Sequence, residues 1–484
     1  MTGARTGRQF LDGLREGGRE IWLSGELISD PLEHPQLRGA AESLARVFDV
    51  QHEHAEEMLA PSPDDAALRV NVTHLIPRAP ADLERRRRAF ELVAATSAGI
   101  MGRTPDYLNV TFACFAGRAD VWARRGNEAR AENLLAYQRL MRDADLSTTH
   151  ALMNPTVDKS RPEAEQAAGE VALHKVSDTA GGGIVVRGAR VLATLAPFAD
   201  ELLIYPGSDI RPQDGRYALS FAIPIATPGL RLICRDSFSK PPGAFDHPLS
   251  SRFDEQDAFV IFDDVEVPAE RVFLDGDTVG YSEVITETGW RGHIMHQAFT
   301  RAHVKLAFAL GLGHLMANTT GSVAADHVQE KLGELWIYSE LARSAIVAAE
   351  AEARVDDGGV LCPDQRPFVA LRGAMPKWMP RANEILALLG GSSLMATPSQ
   401  ADLEGPLAEQ IQTYFQAAGA DATRRIRLFR LAWDFIGSDL GGRGELYERF
   451  YLSDSFRMTA LAYAIADKSF PESLVEQFLR DPGR

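Results

Sequence analysis

Cysteine is scarce: Cys114, Cys234 and Cys362 are the only three in 484 residues, far apart and in apolar surroundings. They supply neither a disulfide framework nor a Cys-x-x-Cys metal site, and a reducing cytoplasm suits such a chain. No run approaches the roughly 18 apolar residues that a membrane span needs, and Met1 to Trp22 lacks the apolar core of a signal peptide. Neither a membrane nor export is expected. Basic residues are also in deficit, 51 Lys and Arg against 67 Asp and Glu, for a formal net charge of −16. That balance argues against nucleic acid or an anionic membrane as the main partner, because both demand a basic face. Any anionic ligand must be held by local donors. Gly-x-Gly-x-x-Gly and Walker A motifs are missing, and the clusters Gly181 to Gly183 and Gly311-Leu-Gly313 fail on spacing or context, so Rossmann-type nicotinamide binding is not expected. None of the twelve histidines has Glu three residues before it, which excludes the Glu-x-x-His pattern of carboxylate-bridged di-iron bundles. His293-x-x-His296 and His52-x-His54 lack carboxylate partners, read as surface or packing histidines, and leave no metal expected.

What is present is an ordinary globular composition, 45% hydrophobic and 24% charged, long enough for two or three packed units. From Gly7 to about Asp143 the pattern is helical. Ala40 to His54 and Leu83 to Ile100 place apolar residues three and four apart between charges. Between about Ser147 and Phe273 short β-rich runs take over: Gly183 to Arg187, Tyr217 to Pro224, Leu230 to Cys234 and Ala258 to Pro268, punctuated by Gly, Pro and Asp turns. This spacing predicts a compact β domain, a small barrel or a sandwich. Long amphipathic helices return near Thr300 to Ala317, Ala324 to Ala353, Pro376 to Leu389 and Ala422 to Phe435, with apolar faces wide enough to suggest a bundle that associates with further copies. The stretch Val355 to Pro367 reads as a surface connection.

Two short segments carry chemistry. In Gly102-Arg103-Thr104-Pro105-Asp106-Tyr107, Pro105 cannot continue a helix from before it. Thr104 is therefore pushed to extended geometry and can cap a new helix starting at Pro105, beside the fixed cation Arg103. In His150-Ala151-Leu152-Met153-Asn154-Pro155, a group that ordinarily titrates near neutrality lies where helical pattern gives way to β pattern. A cation, a phenolic donor and an imidazole together could grip a phenol oxygen and draw off its proton, although each residue also has a plain structural reading. Gly437-Ser-Asp-Leu-Gly-Gly-Arg443 precedes a helix at Glu445 to Leu452. It reads equally as a phosphate or flavin cradle and as a simple connection.

Seven segments in order, Gly18 to Trp22, Gly102 to Tyr107, His150 to Pro155, Gly188 to Thr194, His247 to Glu255, Phe262 to Pro268 and Glu445 to Glu448, resemble the oxygenase component of the 4-hydroxyphenylacetate 3-monooxygenase family. The resemblance implies an α+β fold of acyl-CoA dehydrogenase type: an N-terminal α-helical domain (1–144), a β domain (145–272) and a C-terminal helical bundle (273–484) that forms a homotetramer. It implies reduced FAD from a separate NAD(P)H-dependent flavin reductase, O2, and hydroxylation of a phenol ortho to its OH through a flavin C4a-hydroperoxide. Arg103, Tyr107 and His150 match the trio around the phenol oxygen. Thr156, Val157, Asp158, Lys159 and Thr194 match flavin-binding positions, and Gly437, Ser438, Asp439, Leu440 and Gly441 do so more loosely. Gly207 and Ser208 fall where backbone N–H groups would hold a substrate carboxylate. The substrate is expected to be hydroxyphenylacetate-like or tyrosine-derived, free or tethered to a carrier protein. Rival readings on the same fold are an acyl-CoA dehydrogenase proper and a non-catalytic flavin-binding oligomer. An iron–sulfur dehydratase of related fold is set aside because the cysteines do not stand near Arg103 and His296.

Overall fold

The computed structural model describes residues 3–161, 163–207, 210–240 and 243–480. Helices dominate both ends, and two β-sheets occupy the middle. Ten strands form these sheets: β1 Ile21–Leu23, β2 Glu26–Ile28, β3 Thr148–His150, β4 His174–Asp178, β5 Ile184–Thr194, β6 Glu201–Ile204, β7 Leu219–Pro224, β8 Leu230–Cys234, β9 Asp257–Val267 and β10 Val272–Asp275. One sheet has the order β2-β1-β8-β9-β5-β4 and the other β10-β7-β6-β3. Their inner faces meet through apolar side chains. Phe221 of β7 stands edge-on to Phe262 of β9 with ring centroids 6.2 Å apart, and both are buried. Of the two β forms expected, this is the sandwich.

The first strands were not legible in the sequence. β1 spans three residues, too few to show alternation, and pairs antiparallel with β2 and in parallel with β8 (Ile21 opposite Leu232), the latter more than two hundred positions away. Val355 to Pro367 also differs from a plain surface connection. Arg354–Val355 pairs with Leu361–Cys362, Asp356 Oδ1 accepts from the amides of Gly358 and Val360, and Val360 is fully buried. The expected long helices are present as Arg38–Glu53, Pro80–Ala95, Trp290–Thr320, Asp326–Ala351, Met375–Gly390 and Ala422–Ile436. His293 and His296 are packing histidines with no surface exposure. His293 Nδ1 meets Arg86 Nη1 at 3.1 Å, and His296 Nε2 lies 2.8 Å from Glu350. Among the described residues no helix is long and apolar enough to cross a membrane, and no cluster of His, Cys, Asp and Glu could hold a metal ion.

Helix Pro105–Gly117 is apolar nearly all round and accordingly buried along its length, threaded between the sandwich and helix Trp290–Thr320. The far end of the chain is tied to this core by a buried ion cluster. Glu448, on helix Asp439–Phe450, accepts from Arg301 at 2.8 and 2.9 Å and from Lys305 at 2.9 Å, and Arg301 also donates to the Gly99 carbonyl at 2.7 Å. Burial by itself would raise the Glu448 carboxyl, but the two cations hold it down at about 2.

Glu448→Gln would leave two buried cations without a counter-charge, at a cost of about 3–5 kcal/mol near pH 7. Because the folded-state value lies below the ordinary carboxylate value of about 4.3, the wild-type advantage is present above that pH and disappears as pH falls from about 4 towards 2. Denaturant titrations of both proteins at several pH values check this. A variant as stable as wild type at pH 7 would contradict it.

Candidate functional site

Arg103, His150, Leu152, Met153, Val191, Leu192, Thr194, Asp257, Arg443, Leu446, Tyr447, Phe450 and Tyr451 line a cleft of about 390 Å³. Three parts of the chain meet there: the start of helix Pro105–Gly117, one edge of the sandwich and helix Asp439–Phe450. Thr104 is extended (φ −58°, ψ 156°) and Pro105 opens the helix, as the Thr-Pro step predicts. His150 ends β3, which pairs in parallel with β6. Between the pairs Ala193–Ala258 and Arg190–Val260 the register of β5 against β9 shifts by one residue, and Leu192 takes a left-handed φ of 67°. This bulge puts Val191 and Leu192 into the cleft wall.

Arg103, Tyr107 and His150, forty-seven residues apart at their extremes, come together. The Arg103 guanidinium lies over the Tyr107 ring at 4.3 Å, and the Tyr107 and His150 rings meet edge to face at 5.5 Å. His150 Nδ1 is 2.5 Å from the Tyr205 hydroxyl, which leaves Nε2 without a partner among the described residues. Burial, and after it the positive charge of Arg103, pushes the His150 imidazole well below 6.5. The expectation of a group titrating near neutrality is therefore corrected: in the free protein His150 is a neutral imidazole. Asp106 turns from the cleft and accepts from Gln297 Nε2 at 2.9 Å, and its burial raises the carboxyl to about 6.

A carboxylate that sequence reasoning had no role for organises these parts. Glu255, fully buried in the loop before β9, accepts from the amides of Gly102 and Arg103 through Oε1 and from Arg443 at 2.6 Å through Oε2. Arg443 also binds Asp257 at 2.7 and 3.0 Å, and Asp257 in turn accepts from Arg235 at 2.9 Å and from the Thr194 hydroxyl at 2.8 Å. Burial would raise Asp257, but Arg443 and Arg235 hold it far below the usual carboxylate range. One turn beyond Arg443, Tyr447 accepts from Arg103 Nη1 at 2.8 Å. Its hydroxyl comes so near the Gly102 backbone that a Cβ there would lie 2.2 Å away, so any side chain at position 102 would displace the Tyr447 ring. Glu255 and Tyr447 both stand in segments that carried the family resemblance, and Arg443 directly follows the Gly-rich stretch. Charge alone could not show that they converge.

Among the described residues, Arg103 has no carboxylate partner, whereas Arg443, Arg301 and Lys305 each have one. The arrangement is thus a cation beside two hydrogen-bonding rings.

The other expected contacts are more dispersed. Thr194 lines the cleft. Thr156, Val157 and Lys159 are exposed, and the Val157 and Asp158 amides donate to Gln166 Oε1 at 2.7 and 3.0 Å. The stretch expected to be a turn before a helix at Glu445 is corrected: the helix already starts at Asp439, Ser438 caps it by accepting from the Gly441 amide, Asp439 pairs with Lys240 at 2.9 Å and Leu440 is buried, one to two turns before the cleft-lining part of that helix. Gly207 follows β6, and a Cβ on it would touch Leu152 at 3.2 Å. Ser208 lies outside the described residues. A flat flavin ring fits the cleft by chemistry: Leu152, Met153, Val191, Leu192, Leu446 and Phe450 supply apolar surface beside the polar lining groups.

Two family models cover nearly the whole chain, 4-hydroxyphenylacetate 3-hydroxylase N terminal over residues 6–274 and the corresponding C terminal over residues 281–480. A 4-hydroxyphenylacetate 3-monooxygenase oxygenase component from Thermus thermophilus is 40% identical over 99% of this chain and 98% of its own length. A (3S)-3-amino-3-(3-chloro-4-hydroxyphenyl)propanoyl-[peptidyl-carrier protein] monooxygenase from Streptomyces globisporus is 33% identical over 92% of this chain and 84% of its own. The crystal structure of a 4-hydroxyphenylacetate 3-monooxygenase oxygenase component complexed with FAD and 4-hydroxyphenylacetate superposes with a TM-score of 0.93, at 39% identity and 98% coverage of both chains. A 4-hydroxybutyryl-CoA dehydratase from N. maritimus shares the fold alone, with a TM-score of 0.89 at 17% identity over 99% of this chain and 96% of that one. On its full-length family match and its identity to these oxygenases, the chain belongs to the 4-hydroxyphenylacetate 3-hydroxylase family of FAD-using monooxygenases.

Proposed function

We propose that Arg103, Tyr107 and His150 bind the oxygen of a phenol and ionise it, so that this oxygenase component can hydroxylate the ring ortho to that oxygen. One observation carries the reading: among the described residues, Arg103 is the cation of the cleft that lacks a carboxylate. Bound FAD, reduced by a separate flavin reductase, supplies the activation of O2. The protein's task is to raise electron density on the ring carbon by removing the phenol proton.

Magnitudes decide how that task is shared. A phenol near pKa 10 facing an imidazole that burial and Arg103 hold well below 6.5 opposes proton transfer. A cation about 4 Å from the developing phenolate returns about 4 kcal/mol at an effective dielectric of 20. A hydrogen bond to the charged oxygen from Tyr107 contributes a further 1.5 kcal/mol or so. The cation is the larger of the two contributions, so Arg103 does most of the ionising and Tyr107 aims the oxygen. His150 Nε2 takes the proton once the phenolate's negative charge offsets the field of Arg103. The apolar wall of Leu152, Val191, Leu192 and Phe450 keeps water from the reacting groups.

We assign Thr156, Val157, Asp158, Lys159, Thr194 and the stretch Gly437 to Gly441 to the extended cofactor, and Gly207 and Ser208 to the substrate tail. The likeness to a 4-hydroxyphenylacetate oxygenase across the whole chain supports a free phenolic acid, and the carrier-protein monooxygenase among the relatives supports a tethered phenol as the second reading. Cys114, Cys234 and Cys362 remain free thiols, which supports a cytoplasmic location. Exposed apolar side chains on helix Asp326–Ala351 (Trp336, Ile337, Leu341, Val347) and on helices Ser455–Ile465 and Ser469–Leu479 (Phe456, Phe470, Phe478) support a homotetramer.

Supplied with reduced FAD from any flavin reductase, air and a panel of phenols, the protein yields products heavier by one oxygen. Arg103→Ala and His150→Ala each lose this activity by on the order of a hundredfold. Full coupled hydroxylation by Arg103→Ala would remove the assignment. Sedimentation equilibrium gives a species of four chains, and Phe470→Glu combined with Phe478→Glu gives a smaller one. A monomeric wild type at micromolar concentration contradicts the tetramer.

A further inference from the structure

Tyr447 belongs to a segment that carried the family resemblance without an assigned role, and its surroundings are unusual. Its ring stacks on Tyr451 at 4.7 Å and 11°, and lies 5.6, 5.5 and 5.0 Å from the guanidinium carbons of Arg103, Arg301 and Arg443. The ring therefore separates three like charges and is held in place by all of them. Its hydroxyl oxygen accepts from Arg103 Nη1 at 2.8 Å beside the bare backbone of Gly102, and no acceptor for its own proton is found among the described residues. Burial pushes this hydroxyl up, so it stays a neutral phenol and cannot neutralise Arg103.

We propose that Tyr447 is a positioning residue for Arg103, reaching the phenol clamp from the C-terminal helix. By engaging Nη1 it fixes the guanidinium plane over Tyr107 and leaves Nε and Nη2, which have no partner among the described residues, as the donors for a phenolate. A carboxylate in its place would fix the plane equally well but quench the charge. A phenol fixes it and leaves the charge to the ligand. This rests on the reading that Arg103 holds the substrate oxygen.

The test uses 4-nitrophenol, whose ionisation is visible in its absorption spectrum, bound to the flavin-free protein and titrated with pH. Tyr447→Phe keeps the ring and its stack on Tyr451, so the melting temperature stays close to that of wild type. The bound phenol's pKa rises by about 0.5–1 unit, a loss of phenolate over phenol preference of about three- to tenfold. A role in packing alone would weaken both ionisation states equally and leave the bound pKa unchanged, and that result overturns the proposal. Arg103→Gln, which removes the charge, separates the two levels. If wild type itself binds the neutral phenol, or Arg103→Gln leaves the bound pKa untouched, the reading of Arg103 fails. If Arg103→Gln raises it and Tyr447→Phe does not, only the role of Tyr447 fails.

Discussion

The site depends on one buried carboxylate, Glu255. Three donors from two distant parts of the chain converge on it: the backbone amides of Gly102 and Arg103 and the guanidinium of Arg443. A charge withdrawn from water must be satisfied on every lone pair or it destabilises the fold by several kcal/mol, so these segments cannot drift apart without a large penalty. The main chain at Arg103 is thereby anchored by an anion that pairs with Arg443, which also binds Asp257. Among the described residues the Arg103 side chain has no carboxylate partner. Anchoring the backbone and leaving the guanidinium uncompensated are the two conditions for a cation that seeks an anionic oxygen from outside.

The neutral state of His150 follows from the same field. An imidazole buried next to an uncompensated guanidinium cannot hold a proton until a negative charge arrives. In the proposed reading, phenol ionisation and imidazole protonation are coupled. The dehydratase at 17% identity shares the fold alone.

Much of this was legible in the sequence because it was local. The Thr104-Pro105 step placed a helix start beside Arg103, the alternating runs marked β7 to β9, and periodicity marked the long helices. Seven ordered segments then supplied the chemistry that no single motif could. What remained hidden was non-local. β1 pairs with a strand more than two hundred positions away, and the Val355 to Cys362 hairpin was obscured by its polar turn. Glu255, Arg443 and Tyr447 are ordinary surface residue types in sequence, and only their convergence, at separations of up to 344 residues, reveals a shared function. The near-neutral titration expected of His150 failed for the same reason, since burial and a neighbouring charge cannot be read from one residue.

A double-mutant cycle in phenol binding tests most directly whether Glu255 serves the site through Arg103. Calorimetry on wild type, Glu255→Gln, Arg103→Ala and the double variant gives the four affinities needed. If the carboxylate acts by anchoring Arg103, Glu255→Gln weakens binding in the wild-type background and changes it little once Arg103 is gone. An equal loss in both backgrounds would show that Glu255 supports the cleft by some other route and would contradict the central role given to it here.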